Sequence, residues 1–316
     1  MAMKSTRVVL LGPQRLQPTL IQAVDDLDLQ GPLAAITAGW EERESEDQEL
    51  SDHLRGRSIN LRLWERTELV YQRDPALHAA VRNRIDASLR MRELYRLRLD
   101  HALEATRAII ARPWSQDWSE LVRDQARSSI EALRRLDAEH EERTLELQRE
   151  FERNLRPVER PAVASTRLEI ESDLAACSGI CIAGGNVRVL LHRMRLFDVP
   201  GMFAGRTLIA WSAGAMALAQ RVVLFHDRPP QGMGNTEVMD AGIGAYQGLI
   251  PFPHADRRLL LEDRVRLSIL AQRMSPHLCV LLTARTRADW DGEHWRIAAG
   301  TKSLTIDGEV SESQAA

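Results

Sequence analysis

The amino-acid sequence predicts an α/β protein built on a three-layer, doubly wound, mostly parallel sheet, with a long α-helical hairpin inserted into it. Short apolar runs typical of buried strands alternate with segments whose apolar residues recur at helical spacing, which is the pattern of a parallel sheet covered by helices. Residues 75–157 differ: they contain no glycine, are densely charged and carry an apolar residue at every third or fourth position.

The strands and helices of the α/β part follow from these runs. The predicted strands are residues 7–12, 33–37, 59–64, 179–183, 207–211 and 278–283, and the predicted helices are residues 18–27, 186–197, 213–220 and 259–273. Residues 295–297 and 303–310 indicate a carboxyl-terminal β-hairpin that turns at Asp307-Gly308. Ligands of such sheets bind at the carboxyl ends of the strands, so functional residues are expected in the loops there.

The helical hairpin divides the chain into three parts. Residues 1–74 are the first part of the α/β domain, residues 75–157 the inserted hairpin, and residues 158–316 the second part of the α/β domain. Pro113 separates the two helices, and helices of roughly 35 residues reach about 50 Å. We therefore expect the hairpin to project from the body or to pack on a partner. It could be a dimerisation arm, which would make the protein a homo-oligomer, a solitary packing element or a cover over the site.

The composition of the chain limits which binding partners and which cellular compartment are expected. Of 316 residues, 44% are hydrophobic and 28% charged, with a formal net charge of −3, which indicates a globular protein and supports neither a nucleic-acid nor a membrane partner. The first apolar run is too short for the core of a signal peptide, so we expect a cytoplasmic protein. Cys177, Cys181 and Cys279 lie in or beside apolar runs and match neither a disulfide framework nor a zinc site, so no metal or other cofactor is expected.

The most informative segment is residues 206–219. An apolar strand pattern ends at Ser212, and the residues that follow are small and compatible with a helix. At such a strand-to-helix turn the serine hydroxyl is lifted clear of the backbone, and the positive end of the next helix points at the reacting centre. Ser212 is therefore the predicted nucleophile.

Two loops could complete an acyl-transfer site. Gly184, Gly185 and Asn186 end a predicted strand and precede a predicted helix. The N–H group of Gly185 could stabilise an oxyanion together with the N–H group of Ala213, although a Gly-Gly pair alone is also compatible with a tight turn that binds nothing. His254 follows an apolar run, in a position from which a neutral imidazole could accept the proton of Ser212.

A carboxylate is needed to orient that imidazole. Asp227, in the dipeptide His226-Asp227 after a short apolar run, is the predicted acid, and Glu237 and Asp240 are the competing acids.

These residues resemble the aspartyl dipeptidases (peptidase E) and cyanophycinases, which are serine hydrolases with a class I glutamine-amidotransferase-like fold. The resemblance rests on Gly184-Gly185-Asn186, on Trp211-Ser212-Ala213-Gly214-Ala215, on Asp227 fifteen residues after the serine, and on the segment 241–254 that ends in Pro253-His254. It covers residues 5–64 and 165–310 and leaves out the hairpin. It implies the catalytic set Ser212, His254 and Asp227, and a serine at the elbow disfavours the glutaminase chemistry of amidotransferases, which requires a cysteine there.

The sequence thus predicts a metal-independent serine hydrolase that cleaves a peptide or isopeptide bond. Substrate-binding roles are expected for Gly184, Asn186 and Arg257, and an acidic substrate side chain could bind Arg188, Arg257 or Arg258. The alternative is a catalytically silent scaffold whose hairpin serves oligomerisation or partner binding. A third hypothesis is a nucleotide or phosphate binder that uses Gly184-Gly185 at the start of a helix. It has less support, because neither a P-loop nor a full G-x-G-x-x-G motif is present there.

Overall fold

The computed structural model describes residues 6–113, 115–225, 227 and 234–313. Within these ranges seven strands form the main sheet, in the order β11-β10-β1-β5-β4-β2-β3, and the five from β1 to β3 in that order are parallel. The strands are β1 Arg7–Leu11, β2 Leu33–Ile36, β3 Ser58–Asn60, β4 Gly179–Ile182 and β5 Thr207–Trp211, with β10 Arg287–Trp290 and β11 Trp295–Ile297 added antiparallel at one edge.

The described ranges also hold two smaller sheets. The second sheet has the order β13-β12-β9-β8, where β8 Leu249–Pro253 and β9 Leu278–Leu282 are parallel and β12 Lys302–Leu304 and β13 Val310–Glu312 are antiparallel. Strands β6 Arg221–Leu224 and β7 Glu237–Ala241 form an antiparallel pair. The predicted single sheet is therefore corrected in one respect: the strand expected at 278–283 forms, but it belongs to the second sheet.

Helices surround these sheets. The described helices are α1 Leu20–Asp26, α2 Gln48–His53, α3 Leu63–Arg73, α4 Pro75–Ala111, α5 Ser119–Leu155, α6 Pro161–Ala175, α7 Val187–Leu196, α8 Ala213–Leu218, α9 Ala255–Arg258 and α10 Arg264–Met274. Two predicted boundaries were wrong. The strand expected at 59–64 ends at Asn60, because Arg62 turns left-handed (φ 48°) and α3 begins at Leu63. The helix expected from residue 259 begins at Arg264, where the Asp263 side chain caps it.

Apolar packing on both faces of the main sheet produces the layered core. Along β1, Val8 and Leu10 belong to one buried apolar cluster, whereas Val9 and Leu11 belong to another. Because side chains alternate across a strand, the two clusters lie on opposite faces of the sheet. The predicted α/β class with helices on both faces is thus confirmed.

Much of the hairpin lies against the body, whereas the described residues near its tip, 111–113 and 115–121, are exposed. Helices α4 and α5 are 37 residues each, about 55 Å long, and run antiparallel. Their inner residues, such as Leu99 and Leu133, are buried in the same cluster as the body, and α5 packs on β7 and α10. The expectation that the hairpin projects or packs on a partner did not include this contact with its own body. No helix in the described ranges has an apolar stretch long enough to cross a membrane.

A buried polar network joins the hairpin to the body. Asp137 of α5 accepts hydrogen bonds from both Nε and Nη2 of Arg273 in α10, at 2.5 and 2.6 Å, and both side chains are almost fully buried. The Tyr95 hydroxyl donates to Asp137 at 2.6 Å and accepts from the backbone N–H of Val238. Because these groups satisfy one another away from water, the network defines how the hairpin sits on the body.

Candidate active site

Ser212 occupies a sharp turn between β5 and α8. Its backbone has φ 51° and ψ −124°, a combination that a residue with a side chain adopts at a cost of order 1–3 kcal/mol. The next residue, Ala213, starts a helix whose residues are all buried. This is the strained strand-to-helix turn that the sequence predicted, and packing on both sides maintains it.

His254 comes from the second sheet. It follows β8 in a left-handed conformation (φ 57°, ψ 33°), and its backbone N–H donates to the carbonyl of Leu282 in the adjacent strand β9 at 2.9 Å. Its Nε2 lies 3.0 Å from Oγ of Ser212. The main sheet and the second sheet therefore each contribute one member of a serine-histidine pair.

The surroundings of His254 favour a neutral imidazole. Burial lowers the pKa of His254 below its ordinary value, and the positive charges of Arg258 and Arg257 lower it further, while Asp256 acts in the opposite direction. A neutral imidazole whose Nδ1 carries the proton has a free lone pair on Nε2 for the Ser212 hydroxyl.

The glycine loop lies directly against the serine. A Cβ atom on Gly184 would fall 2.8 Å from Cβ of Ser212, and one on Gly185, where φ is +108°, would fall 2.1 Å from the carbonyl oxygen of Gly39. Both positions therefore exclude larger residues, the first by close approach and the second also by its backbone conformation.

Sequence analysis predicted that the N–H groups of Gly185 and Ala213 bind an oxyanion. The N–H group of Ala213 begins α8, where no intrahelical acceptor exists. The N–H group of Gly185 has no backbone acceptor among the described residues. A negative oxygen formed next to Ser212 could accept hydrogen bonds from both.

Asn186 ties this loop to the end of β2. Its Oδ1 accepts from the N–H groups of Arg188 and Val189 and so caps α7, while its backbone N–H donates to Gly39 at 2.7 Å. Its Nδ2 donates to Oε1 of Glu41 at 2.8 Å. The predicted substrate-binding residue Asn186 thus has a structural function at this loop.

Glu41 is a residue of the site region that sequence reasoning missed. Its backbone (φ 58°, ψ −128°) is nearly the same strained conformation as that of Ser212. Local sequence gave no signal for it, because only the contact between Asn186 and the segment Ala38–Arg43 shows that Glu41 lies beside the glycine loop. Strained residues of this kind concentrate at functional sites.

The structure does not place Asp227 on the histidine. Its Oδ1 accepts from Nη2 of Arg266 at 2.5 Å, and its Oδ2 accepts from the backbone N–H of Leu260 at 3.1 Å. Among the described residues no carboxylate hydrogen-bonds to His254, so the expected orienting contact is corrected. The physical reason is the burial of Arg266, whose charge requires a partner.

The competing acids are also engaged elsewhere. Glu237 pairs with Arg92 and Arg96 of the hairpin, and Asp240 lies 3.4 Å from Arg195. His226, the neighbour of Asp227 in the sequence pattern, lies outside the described residues.

The three arginines proposed for an acidic substrate occupy different places. Arg257 and Arg258 are exposed in α9, immediately after His254. Arg188 lies in the first turn of α7, half-buried, where burial and the neighbouring Arg92 lower its pKa. Of the three, Arg258 has the larger influence on the pKa of His254.

None of the three cysteines belongs to the Ser212-His254 pair. Cys177, Cys181 and Cys279 are buried and free, as predicted, and burial raises the pKa of both Cys181 and Cys279 to about 12. Within the described ranges no group of three or more His, Cys, Asp or Glu side chains is arranged to hold a metal ion.

Comparison with known proteins does not show a family for this chain. No protein-family model and no curated protein matches the chain. Among solved structures, it is similar to the crystal structure of a peptidase from an acI-B1 Actinobacterium, with 12% sequence identity, a TM-score of 0.46, and coverage of 98% of this chain and 95% of that chain.

Proposed function

We propose that the protein is a serine hydrolase that cleaves a peptide or isopeptide bond, with Ser212 as nucleophile and His254 as general base. The observation that carries this proposal is the 3.0 Å contact between Ser212 Oγ and His254 Nε2, made by a serine whose backbone has the strained elbow conformation. A structural serine at a strand end needs neither feature.

The first chemical step follows from this contact. His254 Nε2 accepts the hydroxyl proton while Ser212 Oγ attacks the substrate carbonyl carbon, which becomes tetrahedral and carries a negative oxygen. In this proposal the N–H groups of Gly185 and Ala213 stabilise that oxygen, and a donor of this kind contributes about 3 kcal/mol to lowering the barrier.

The second half of the reaction uses the same imidazole in reverse. The protonated His254 donates its proton to the leaving amine, and the C–N bond breaks to leave an acyl ester on Ser212. A water molecule, deprotonated by His254, then attacks the ester, and His254 gives that proton to Ser212 Oγ as the C–O bond breaks and the carboxylic acid product leaves.

The substrate class is the finer part of the proposal. The resemblance to peptidase E and cyanophycinase implies an aspartyl or β-aspartyl substrate, whose carboxylate needs a cation nearby. Arg258 supports this, because it lies within the electrostatic reach of His254 and, in the described ranges, its side chain makes no hydrogen bond or ion pair.

A fluorophosphonate probe tests the reaction class directly. We expect stoichiometric labelling of Ser212, located by peptide mass spectrometry, and loss of labelling in both Ser212→Ala and His254→Gln. Ser165→Ala, which changes an exposed serine of α6, is the matched control. Hydrolysis of an Asp-X dipeptide and of β-Asp-Arg by the wild type, but not by Ser212→Ala, would support the substrate class, and undiminished hydrolysis by Ser212→Ala would refute the mechanism.

One observation favours a second candidate, a catalytically silent scaffold whose hairpin mediates oligomerisation or partner binding. His254 has no carboxylate partner among the described residues, and Leu94 and Leu97 are exposed on the outer side of the hairpin. This scaffold would show no labelling of Ser212, and its oligomer in light scattering would dissociate when Leu94 and Leu97 are changed to Gln. Labelling at Ser212 would exclude a silent site.

A further inference from the structure

A cavity of about 290 Å³ lies at the root of the hairpin, away from the Ser212-His254 pair. It is enclosed by the beginning of α4, the end of α5 and the last turns of α7. Asn186, beside the glycine loop, caps the opposite end of α7. A volume of this size is at the lower end of the range for small-molecule sites.

The floor of the cavity carries concentrated positive charge. Arg84 of α4 and Arg195 of α7 both line it, and the pKa of Arg84 is lowered to about 10, chiefly by burial and next by the charge of Arg195. Asp240 partly compensates, because it lies 3.4 Å from Arg195. Glu152 also acts on Arg84 in this direction, and an anion beside Arg84 and Arg195 would stabilise both guanidinium charges further.

One buried hydrogen-bond donor of the cavity lining lacks an acceptor. The buried Nε of Arg84 has no hydrogen-bond partner in the described ranges. Nη1 of the same residue donates to Gln148, so the guanidinium is held in place with its Nε unsatisfied. A buried donor without an acceptor is costly, and a ligand oxygen would remove that cost.

A neutral imidazole completes the polar part. His192 of α7 lines the cavity, and its pKa is well below the ordinary value because of burial and the charges of Arg84, Arg195, Arg188 and Arg193. Three acids also line the cavity. Glu159 lies 3.5 Å from Arg156 and Asp198 lies 3.3 Å from Arg167, whereas Glu152 accepts a hydrogen bond from Nε2 of Gln148 at 2.6 Å and acts to raise the pKa of Arg84.

The walls are apolar. Val81, Phe151 and Leu196 line the cavity, and the guanidinium carbon of Arg84 lies 4.9 Å from the centroid of the Phe151 ring. A ligand that fits this lining has an anionic group at one end and an apolar body at the other.

We propose that this cavity is a second binding site, which takes a small organic oxyanion with its carboxylate or phosphate on Arg84 and Arg195 and its apolar body against Phe151 and Leu196. The site does not depend on the hydrolase proposal, because none of its residues belongs to the Ser212-His254 pair.

Three probes of similar shape test it on the full chain: benzoate, phenyl phosphate and the uncharged benzyl alcohol. We expect benzoate or phenyl phosphate to raise the melting temperature in a saturable way and benzyl alcohol to have no such effect. The preferred oxyanion is the one that binds more tightly in calorimetric titration. Equal binding of benzyl alcohol, or no binding of either anion, would overturn the proposal.

Variants locate the binding. Arg84→Met keeps an unbranched apolar stem without the charge and should weaken anion binding at least tenfold, whereas Arg82→Met, at an exposed position of the same helix, should leave it unchanged. Val158→Trp narrows the cavity from its rim without touching the arginines and should also abolish binding. If Arg84→Met fails to fold, Val158→Trp still decides, and wild-type affinity in Val158→Trp would place any anion elsewhere and refute the site.

An independent readout comes from His192. An anion beside Arg84 and Arg195 reduces the positive field on the imidazole, so the pKa of His192 should rise when benzoate or phenyl phosphate is bound, as followed by NMR titration. An unchanged pKa of His192 at saturating probe would contradict binding in this cavity.

Discussion

Arg266 holds the carboxylate of Asp227 in a buried ion pair, with 2.5 Å between Nη2 and Oδ1. Removing one partner of such a pair leaves an uncompensated charge and typically costs about 3–5 kcal/mol. We therefore expect Asp227→Asn to lower the free energy of unfolding by about 3 kcal/mol, measured by urea denaturation, and to slow fluorophosphonate labelling of Ser212 by less than about tenfold.

A different result is expected if Asp227 orients His254. In a triad in which the acid orients the histidine, the equivalent change costs about 10⁴ in rate with the geometry intact. A loss of that size in Asp227→Asn at unchanged stability would show that Asp227 acts through His254. Asp256→Asn, an exposed acid next to His254, should change stability by no more than about 0.5 kcal/mol.

The pH dependence of Ser212 labelling should follow His254. The base form is the deprotonated one, and the pKa of His254 is lowered by burial and by Arg258, so labelling should remain fast to lower pH than an ordinary histidine allows. Arg258→Gln removes a charge that lowers this pKa and should move the acid limb to higher pH. Asp256→Asn removes a charge that raises it and should move the limb to lower pH. Parallel shifts in both variants would contradict His254 as the base.

We expect Gly184→Ala to slow the reaction of Ser212, because the added methyl group collides with the serine side chain. Its new Cβ would fall 2.8 Å from Cβ of Ser212, so either the serine or the loop must shift. A displacement of about 1 Å at a reacting group can cost roughly 10² in rate, so we expect labelling to slow by about that factor. Gly244→Ala is the control, because Gly244 has positive φ but nothing within 4 Å. Equal effects of the two substitutions on labelling would mean that the close approach is unimportant.

The network between the hairpin and the body should dominate the docking of the hairpin. Asp137→Ala leaves Arg273 buried without its partner and should lower the free energy of unfolding by about 3–5 kcal/mol. Tyr95→Phe removes a hydroxyl bonded to Asp137 and to the N–H of Val238 and should cost about 1–3 kcal/mol. Urea denaturation measures both, and a cost below 1 kcal/mol for Asp137→Ala would show that the hairpin is held by its apolar contacts.

The sequence by itself determined the features that arise from neighbouring residues. An apolar run that stops at Ser212 before small residues indicates a strand, a turn and a helix, and the structure has all three, because sterics and local burial patterns act over a few residues. The strands of the parallel core and the two long helices were predicted for the same reason. The errors at residues 59–64 and 259–263 lie at element ends, where the left-handed Arg62 and the cap by Asp263 decide the boundary.

Only the tertiary structure decided which distant residues meet. Ser212 and His254 approach because the main sheet and the second sheet pack together, whereas the sequence pattern did not predict β8, which precedes His254, and had placed its neighbour β9 in the main sheet. Asp227 pairs with Arg266 instead of His254 because a buried guanidinium must be neutralised, and the burial of Arg266 is not visible in a charged stretch of sequence. The sequence likewise did not show what the apolar face of the hairpin packs against. Helical periodicity identifies that face, but only the packing of the body determines what covers it.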